Sequence, residues 1–214
     1  MFKPVKSPEF NAALRDSRAS AKFRETFARL MNFDEWIDED AVAHVGDIKQ
    51  STSFQSTAYC TLIIGDMDID GTIDLATDGG FGEGGVFIVI GNVTCQNFIG
   101  DYGKCCLIDG NLVARDSILN AYEDSGLWVI GSLRTRLFIG QDIWAEVGGE
   151  AIMEFGFGYC LPLAYDDASE QLVRPLHGES ETALIVTPDS ENEDFQYGAD
   201  HLASLIRSGR PIFR

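Results

Sequence analysis

A repeated phrase of apolar and polar positions runs through the middle of the chain. An apolar run is followed by a glycine, then by a small polar or acidic residue, and then by an apolar residue. The glycines of this phrase recur at intervals of 19, 26, 19, 21 and 18 residues, and they are Gly46, Gly65, Gly91, Gly110, Gly131 and Gly149. A nearly constant period of about 20 residues is typical of stacked repeat proteins.

Apolar residues at alternate positions after each glycine predict short strands with side chains pointing inward at a period of two. The second position after the glycine is occupied in turn by Ile48, Met67, Val93, Leu112, Leu133 and Ala151. Such a column predicts a β-solenoid, in which each coil stacks on the next and buries a continuous core. The 26-residue interval contains a glycine-rich insertion at residues 78–85. An antiparallel sandwich or barrel is the competing interpretation, because glycine-bounded strands suit those folds too.

The two flanking segments differ from the repeats. Residues 7–31 predict one amphipathic helix, with Ser7 as its N-cap and Pro8 at the first helical position. From Tyr165 onward the chain is acidic, with a strand-like run at 182–186 and a predicted helix from Ala199 to Ser208. We therefore expect an all-β dominated chain: a single-stranded β-helix of about five to six coils over residues 41–160, an N-terminal helical cap over 1–40, and a mixed C-terminal capping segment over 161–214.

The charge of the chain is strongly negative, at −18. Residues 1–30 carry seven basic and three acidic groups, so the rest of the chain carries nine basic and 31 acidic groups. Such a body repels nucleic acid phosphates and attracts a basic partner or cations. No apolar run approaches the roughly 20 residues of a membrane span. The start of the chain lacks a signal-like apolar region, and the five cysteines form no C-x-x-C pair, which predicts a cytoplasmic protein without disulfides or zinc.

Residues 66–74 match the first nine positions of a calcium-binding loop, with Asp66, Asp68, Asp70 and Asp74 at ligand positions. The twelfth position is Thr77 instead of the glutamate that closes such sites. The alternative is a solenoid strand with Met67 and Ile69 facing inward and the aspartates facing outward. We favour the strand and expect no metal site.

Other motifs point away from catalysis. Residues 80–85 match G-x-G-x-x-G, but an apolar strand pattern follows where a dinucleotide fold requires a helix. The three histidines lie in no nucleophile motif. Carboxylates near the coils, such as Asp109, Asp116 and Asp124, are the candidates for a glycan-cleaving pair. We expect a protein without catalytic residues or cofactor.

Aromatic residues at or beside the predicted corners are the better candidates for function, because aromatic anchors ringed by charge are typical of protein-binding surfaces. The aromatic residues there are Phe81, Tyr102, Tyr122, Trp128, Phe138 and Trp144. Of these, Phe81, Tyr102, Tyr122 and Trp144 are the predicted partner-binding residues. The hypothesis is a non-enzymatic acidic interaction module, in its specific form an immunity-type inhibitor that blocks a cationic toxin nuclease.

Three phrases share a glycine–polar–apolar pattern: Gly-Asp-Met-Asp-Ile-Asp-Gly at 65–71, Gly-Asn-Val at 91–93 and Gly-Asn-Leu-Val-Ala at 110–114. Through these phrases the repeat body resembles the bactofilins, bacterial cytoskeletal proteins with a right-handed β-helix. It implies a self-associating structural scaffold whose solenoid ends stack into filaments without nucleotide. The chain departs from that family in its uneven coils and in its helical flanking segments, which would block stacking if they covered the ends.

Overall fold

A computed structural model describes residues 2–30, 41–56, 58–76, 84–120, 124–140, 143–157, 163–164 and 195–213. Within these ranges the chain forms three helices, α1 (Ser7–Asp16), α2 (Ala21–Leu30) and α3 (Phe195–Arg207). The strands in chain order are β1 (Lys3–Pro4), β2 (Ala41–Val45), β3 (Ile48–Gln50), β4 (Phe54–Gln55), β5 (Cys60–Ile64), β6 (Met67–Ile69), β7 (Thr72–Asp74), β8 (Val86–Ile90), β9 (Val93–Ile99), β10 (Cys105–Ile108), β11 (Leu112–Asn120), β12 (Ser125–Val129), β13 (Leu133–Arg134), β14 (Leu137–Gly140), β15 (Ile143–Val147), β16 (Ala151–Ile152), β17 (Phe155–Phe157) and β18 (Leu163–Ala164). None of these helices is both long and apolar enough to cross a membrane.

The strands wind into a parallel β-solenoid of about five turns with three faces. Face A consists of β2, β5, β8, β10, β12, β15 and β18. Face B consists of β3, β6, the first halves of β9 and β11, β13 and β16. Face C consists of β4, β7, the second halves of β9 and β11, β14 and β17. In each coil the chain follows face A, turns at a glycine onto face B, bends onto face C and returns.

The predicted interior column is confirmed. Met67, Val93, Leu112 and Leu133 are direct neighbours in the strand register, and none is more than 1% exposed. Ile48 and Ala151 extend the column at its two ends and pack against the same core. All pairing between coils is parallel among the described strands, and this excludes the antiparallel sandwich or barrel.

The glycine at the corner between faces A and B is required by close packing of the coils. A Cβ on Gly91 would lie 2.3 Å from the carbonyl oxygen of Gly65, and a Cβ on Gly110 would lie 2.3 Å from that of Gly91. These distances are far shorter than any van der Waals contact, so the corner admits no side chain. The glycine period in the sequence is therefore the period of the coil.

The residue after each corner glycine connects neighbouring coils through a hydrogen-bonded column, here called the corner ladder. It consists of Asp47, Asp66, Asn92, Asn111, Ser132 and Glu150. In each step a side-chain oxygen accepts the backbone N–H of the next member, at distances between 2.8 and 3.1 Å. The ladder satisfies backbone donors that the sharp turn removes from the sheets.

The N-terminal segment is helical, but the prediction of a single helix over 7–31 is wrong. α1 ends at Asp16, where the Ser17 hydroxyl donates to the Leu14 carbonyl oxygen at 2.6 Å. The guanidinium of Arg24 donates to the carbonyl oxygens of Leu14 and Ser17, so it satisfies acceptors that the end of α1 leaves open. The predicted N-cap is also one residue off, since Lys6 holds that position.

The helices α1 and α2 lie along the outer side of face A rather than over an end of the stack. The apolar cluster between them and the sheet includes Phe10, Leu14, Phe23, Leu62, Ile88, Leu107 and Trp128. The end at the first coil is covered instead by β1, which pairs antiparallel with β2, and by Phe2. The Phe2 ring packs against the core beside Phe54, with ring centroids 5.8 Å apart.

The C-terminal helix covers face C. The prediction of a helix from Ala199 to Ser208 is confirmed, although α3 begins earlier, at Phe195. Its apolar residues pack with outward residues of face C in a cluster that contains Ile99, Leu119, Leu137, Ile139, Leu202, Leu205 and Ile206. Gly209 ends the helix with φ +69°, and its N–H donates to the Ile206 carbonyl oxygen at 2.9 Å. The predicted strand at 182–186 lies outside the described residues.

Candidate interaction surface

Face B is the face on which none of the three described helices packs. Its outward residues alternate with the buried interior column, and they stay accessible: the Lys49 side chain is 85% exposed and Ile152 is 47% exposed. We call this surface the open face. Its outward residues are Lys49, Asp68, Asp70, Thr94, Gln96, Val113, Arg115, Arg134, Arg136, Ile152 and Glu154.

Three ion pairs lie on the open face. Asp68 accepts from Lys49 at 3.4 Å and lies 3.9 Å from Arg115. Arg136 contacts Glu154 at 3.2 Å. All five side chains are between 38% and 85% exposed, so water screens these pairs and each contributes little to stability. Arg136 also stacks on the Phe213 ring, 3.8 Å from its centroid, whereas the other charged groups in these pairs are available to a partner.

The described basic residues of the solenoid are concentrated on this surface. Of the basic residues between 41 and 164 that the structure describes, Lys104 is buried at 3% exposure, while Lys49, Arg115, Arg134 and Arg136 all lie on the open face. Arg134 makes no ion pair with any described residue. The protein is acidic overall, but the exposed basic residues of the solenoid lie together on one surface. The open face therefore has a charge pattern that differs from the net charge of the chain.

Two of the four predicted partner-binding aromatic residues can be located. Phe81 and Tyr122 lie outside the described residues. Tyr102 is partly exposed in the turn before β10, and Trp144 is 45% exposed on the outer side of β15. Both lie near the corner where the chain returns to face A, two coils apart along the stack. Their role in binding stays a prediction.

The other two corner candidates are packing residues. Phe138 is fully buried in the interior core, and Trp128 is 5% exposed beneath the N-terminal helices. The Trp128 ring lies over Gly126, where a Cβ would come within 2.2 Å of the indole.

Trp144 belongs to a polar contact at the C-terminal end of face A. Its indole Nε1 donates to Oε1 of Glu146 at 2.5 Å. The Glu146 side chain is 4% exposed, and both of its oxygens accept from Nη2 of Arg29, at 3.2 and 3.1 Å. The last turn of α2 is thereby tied to β15. Trp144 therefore has a structural role in addition to its exposed ring.

The aspartates of the calcium-like motif lie on different faces of the solenoid. Met67 and Ile69 are buried in the core, as the strand interpretation predicts. Asp68 faces outward on the open face, whereas the Asp74 carboxylate lies on face C and accepts from Nε of Arg207 at 2.8 Å. Among the described residues, no group of three or more His, Cys, Asp or Glu side chains is arranged to hold a metal ion.

The carboxylates considered for glycan cleavage lie at different corners of the coil. Asp109 follows β10 and accepts from Ser20, while Asp116 lies within β11 and accepts from Gln96 Nε2 at 2.6 Å. Asp124 precedes β12 with φ +57°. The structure does not bring these three side chains together. The glycine-rich residues 84–85 lead directly into the strand β8, as expected from the sequence.

The cysteine thiols that the structure describes are shielded rather than activated. Burial raises the pKa of the Cys95 thiol to about 12, although the charge of Arg115 opposes the shift. Burial also raises the pKa values of Cys105 and Cys106. Cys106 points into the core and Cys105 packs outward against the helix cluster, so the two neighbours face opposite sides of the strand. A raised thiol pKa disfavours the reactive thiolate.

Sequence reasoning missed the open face as a functional candidate. The signal was present, because Arg134 and Arg136 occupy outward positions of the repeat where an acidic chain has few cations. Comparisons with protein-family models, with curated proteins and with solved structures found no match.

Proposed function

We propose that this protein is a non-enzymatic protein-interaction module that presents the open face of a rigid solenoid to a partner. The observation that supports this proposal is the division of the three faces: helices cover faces A and C, while face B keeps exposed, charged side chains. A sheet face of this kind supplies a preformed surface, so binding costs little ordering of the backbone.

The acidic half of the open face receives a basic surface of the partner. This acidic half consists of Asp68 and Asp70 on the open face, together with the adjoining corner-ladder carboxylates Asp47 and Asp66. Asp47 and Asp70 are exposed, and the Asp68 side chain is 46% exposed. Opposite charges on the partner would accelerate association and make it sensitive to salt.

An immunity-type inhibitor of a cationic nuclease is a specific form of this proposal. Its support is the charge of the chain, in which clustered carboxylates compete with phosphate groups for the basic active site of such an enzyme. The corner aromatic residues Tyr102 and Trp144 lie between faces C and A, away from the open face, so they would contribute only to a partner that extends beyond the open face.

A bactofilin-like scaffold that grows end to end is a weaker alternative. Stacking requires a bare first coil, but β1 pairs antiparallel with β2 and Phe2 packs against the core there. Self-association through a side face would not need a bare first coil. A glycan-cleaving enzyme has less support, because Asp109, Asp116 and Asp124 lie at separate corners.

A binding titration tests the proposal. The probe is a fluorescent lysine-rich peptide of about 20 residues, and its anisotropy is followed at about 0.1 M salt. We expect Asp66→Asn, Asp68→Asn and Asp70→Asn together to weaken binding at least ~10-fold. Asparagine at 66 keeps the side-chain oxygen that accepts the Asn92 N–H, so the corner ladder stays intact.

The control carries the same change of net charge elsewhere on the surface. It combines Asp16→Asn, Glu25→Gln and Asp124→Asn, three exposed positions away from the open face. Equal loss of binding in both variants would mean that the peptide senses only the overall charge, and the proposed binding surface would be wrong.

A further inference from the structure

The charges of the open face follow a definite order along the stack. The first coil contributes Lys49, the second Asp68 and Asp70, and the third the neutral Thr94 and Gln96. The fourth coil contributes Arg115 together with Asp116, and Asp116 is hydrogen-bonded to Gln96. The fifth coil contributes Arg134 and Arg136, and the sixth contributes Ile152 and Glu154. Over these side chains the net charge by coil is therefore positive, negative, neutral, neutral, positive and negative. Asp116 is counted here at the edge of the open face, and the corner-ladder carboxylates Asp47, Asp66 and Glu150 are left out.

This order is its own complement when it is reversed. The second coil then meets the fifth with opposite charges and the two neutral coils meet in the middle, while Lys49 of the first coil meets the apolar Ile152 of the sixth. We propose that the open face binds the open face of a second copy of this chain, through a two-fold axis that runs parallel to the strands between the third and fourth coils. A two-fold interface presents the same patch from both subunits, which is what a self-complementary surface requires.

The symmetry fixes which residues meet. Because the axis is parallel to the strands, it reverses the coil order but keeps each side-chain column opposite its own counterpart. Asp68 of one copy then faces Arg134 of the other, and Asp70 faces Arg136. The neutral Thr94 and Val113 meet at the centre. Arg134 makes no ion pair with the described residues of its own chain, so it is ready to pair across the interface.

One pair opposes the arrangement. Asp47 of one copy faces Glu150 of the other at the rim, where both side chains are exposed and solvent screens their repulsion. The two favourable charge pairs lie nearer the axis, and each occurs twice by symmetry. The balance therefore favours association.

The size of the open face predicts a weak dimer. Six strands spaced about 4.8 Å apart, each contributing about five residues of ~3.3 Å, give roughly 400 Å² per copy. Stable complexes bury about 800 Å² per partner, so this dimer dissociates readily on dilution and at high salt. This inference rests on the proposed function, because it identifies the basic surface that the acidic half receives as the basic half of a second copy.

Sedimentation equilibrium of two charge-reversed chains tests the proposal. Asp68→Arg and Arg134→Asp each place like charges across the axis, so we expect each variant alone to associate at least ~10-fold more weakly than the unchanged protein. A 1:1 mixture restores both pairs, since the arginine introduced at position 68 of one chain then meets the aspartate introduced at position 134 of the other. We expect the mixture to recover dimer formation at low salt and to lose it at about 1 M salt.

Matched controls keep the result specific. Glu25→Arg on α2 and Arg210→Asp after α3 make the same charge changes outside the open face, and we expect them to leave association unchanged. Thermal unfolding of every variant confirms that each chain folds. An unchanged protein that stays monomeric up to about 1 mM, variants that dimerise normally, or a mixture that fails to associate would each overturn the two-fold arrangement.

The two proposals fail in different ways. A monomeric protein that still binds the lysine-rich peptide through Asp66, Asp68 and Asp70 keeps the proposed function and loses the dimer. Peptide binding that weakens as the protein dimerises supports both, because self-association and the peptide compete for the same carboxylates. A dimer whose monomer binds no peptide loses the proposed function.

Discussion

The carboxylate of Asp109 holds Ser20 from two directions, accepting the Ser20 backbone N–H at 2.5 Å and the Ser20 hydroxyl at 2.6 Å. The same hydroxyl oxygen accepts the N–H of Phe23 at 3.1 Å. Ser20 therefore caps the N-terminus of α2 and fixes that helix to the corner after β10. One serine links the local structure of a helix to its position on the solenoid.

Ser20→Ala removes both the helix cap and the hydroxyl contact with Asp109. We expect the free energy of unfolding to fall by about 1–2 kcal/mol, the usual cost of a lost N-cap. Urea unfolding followed by circular dichroism measures the change. Ser204→Ala, an exposed serine within α3, is the matched control and should change stability by less than about 0.5 kcal/mol. Equal effects of the two substitutions would contradict the anchoring role of Ser20.

Alanine substitutions at Gly91 and Gly209 distinguish two ways in which a side chain can destabilise the protein: a close contact with a neighbouring coil, and an unfavourable backbone conformation. Gly91→Ala places a methyl group 2.3 Å from the carbonyl oxygen of Gly65, so neighbouring coils must move apart. We expect a loss of about 3 kcal/mol or insoluble protein. Gly209→Ala meets no atom within 4 Å, and its φ of +69° alone costs about 1 kcal/mol. Thermal unfolding of both variants checks the order, and a Gly209 variant less stable than the Gly91 variant would refute the close corner.

The pair between Arg207 and Asp74 secures the C-terminal helix. The Asp74 side chain is 6% exposed and accepts two hydrogen bonds from Arg207, at 2.8 and 3.1 Å. Arg207→Gln leaves this carboxylate buried without its cation, and we expect a loss of about 1–3 kcal/mol with faster hydrogen exchange in α3.

The double variant Arg207→Gln, Asp74→Asn is the control for that prediction. It removes the unpaired charge, so it should recover part of the lost stability. Exchange in α3 that stays as slow as in the unchanged protein would show that apolar packing alone holds the helix.

Cys95 makes stability depend on pH in the alkaline range. Its thiol pKa is about 12 in the folded chain against 9.0 for the free group. The stabilisation is fully present below pH 9.0, and it is lost as the pH rises toward 12 because the unfolded thiol releases its proton first.

We expect the free energy of unfolding to fall less steeply above about pH 9 in Cys95→Ala than in the unchanged protein. Urea titrations between about pH 8 and pH 11 measure the two slopes. Val93→Ala, which removes buried volume without a titratable group, should keep the original slope. If the free energy of unfolding falls equally steeply with pH in Cys95→Ala and in the unchanged protein, burial does not raise the pKa of this thiol.

The repeat body could be predicted from the sequence because its constraints are local. Gly91 and Gly110 must be glycines because each lies against the backbone of the preceding coil. Apolar residues alternate with polar ones around Met67 and Ile69 because every second side chain is buried in the core. Both constraints recur in every coil, so they appear as a period. The termination of α3 at Gly209 was equally local.

The docking of the helices could not be predicted in the same way. The amphipathic pattern runs through residues 7–31 without a gap, but α1 ends before Ser17, and the start of α2 is held by the contact of Ser20 with Asp109, 89 residues away. Likewise the open face depends on which sides α1, α2 and α3 cover, and no repeat in the sequence records that choice.

The two long-range anchors of the N-terminal helices fix the number of coils that lie between them. Ser20 reaches Asp109, and Arg29 reaches Glu146 two coils further along face A. A duplicated coil inserted between these anchors would shift one of them by about 4.8 Å and break it. Most solenoids can change length by gaining or losing a repeat. In this one, the two helices that lie across face A fix the number of coils between β10 and β15.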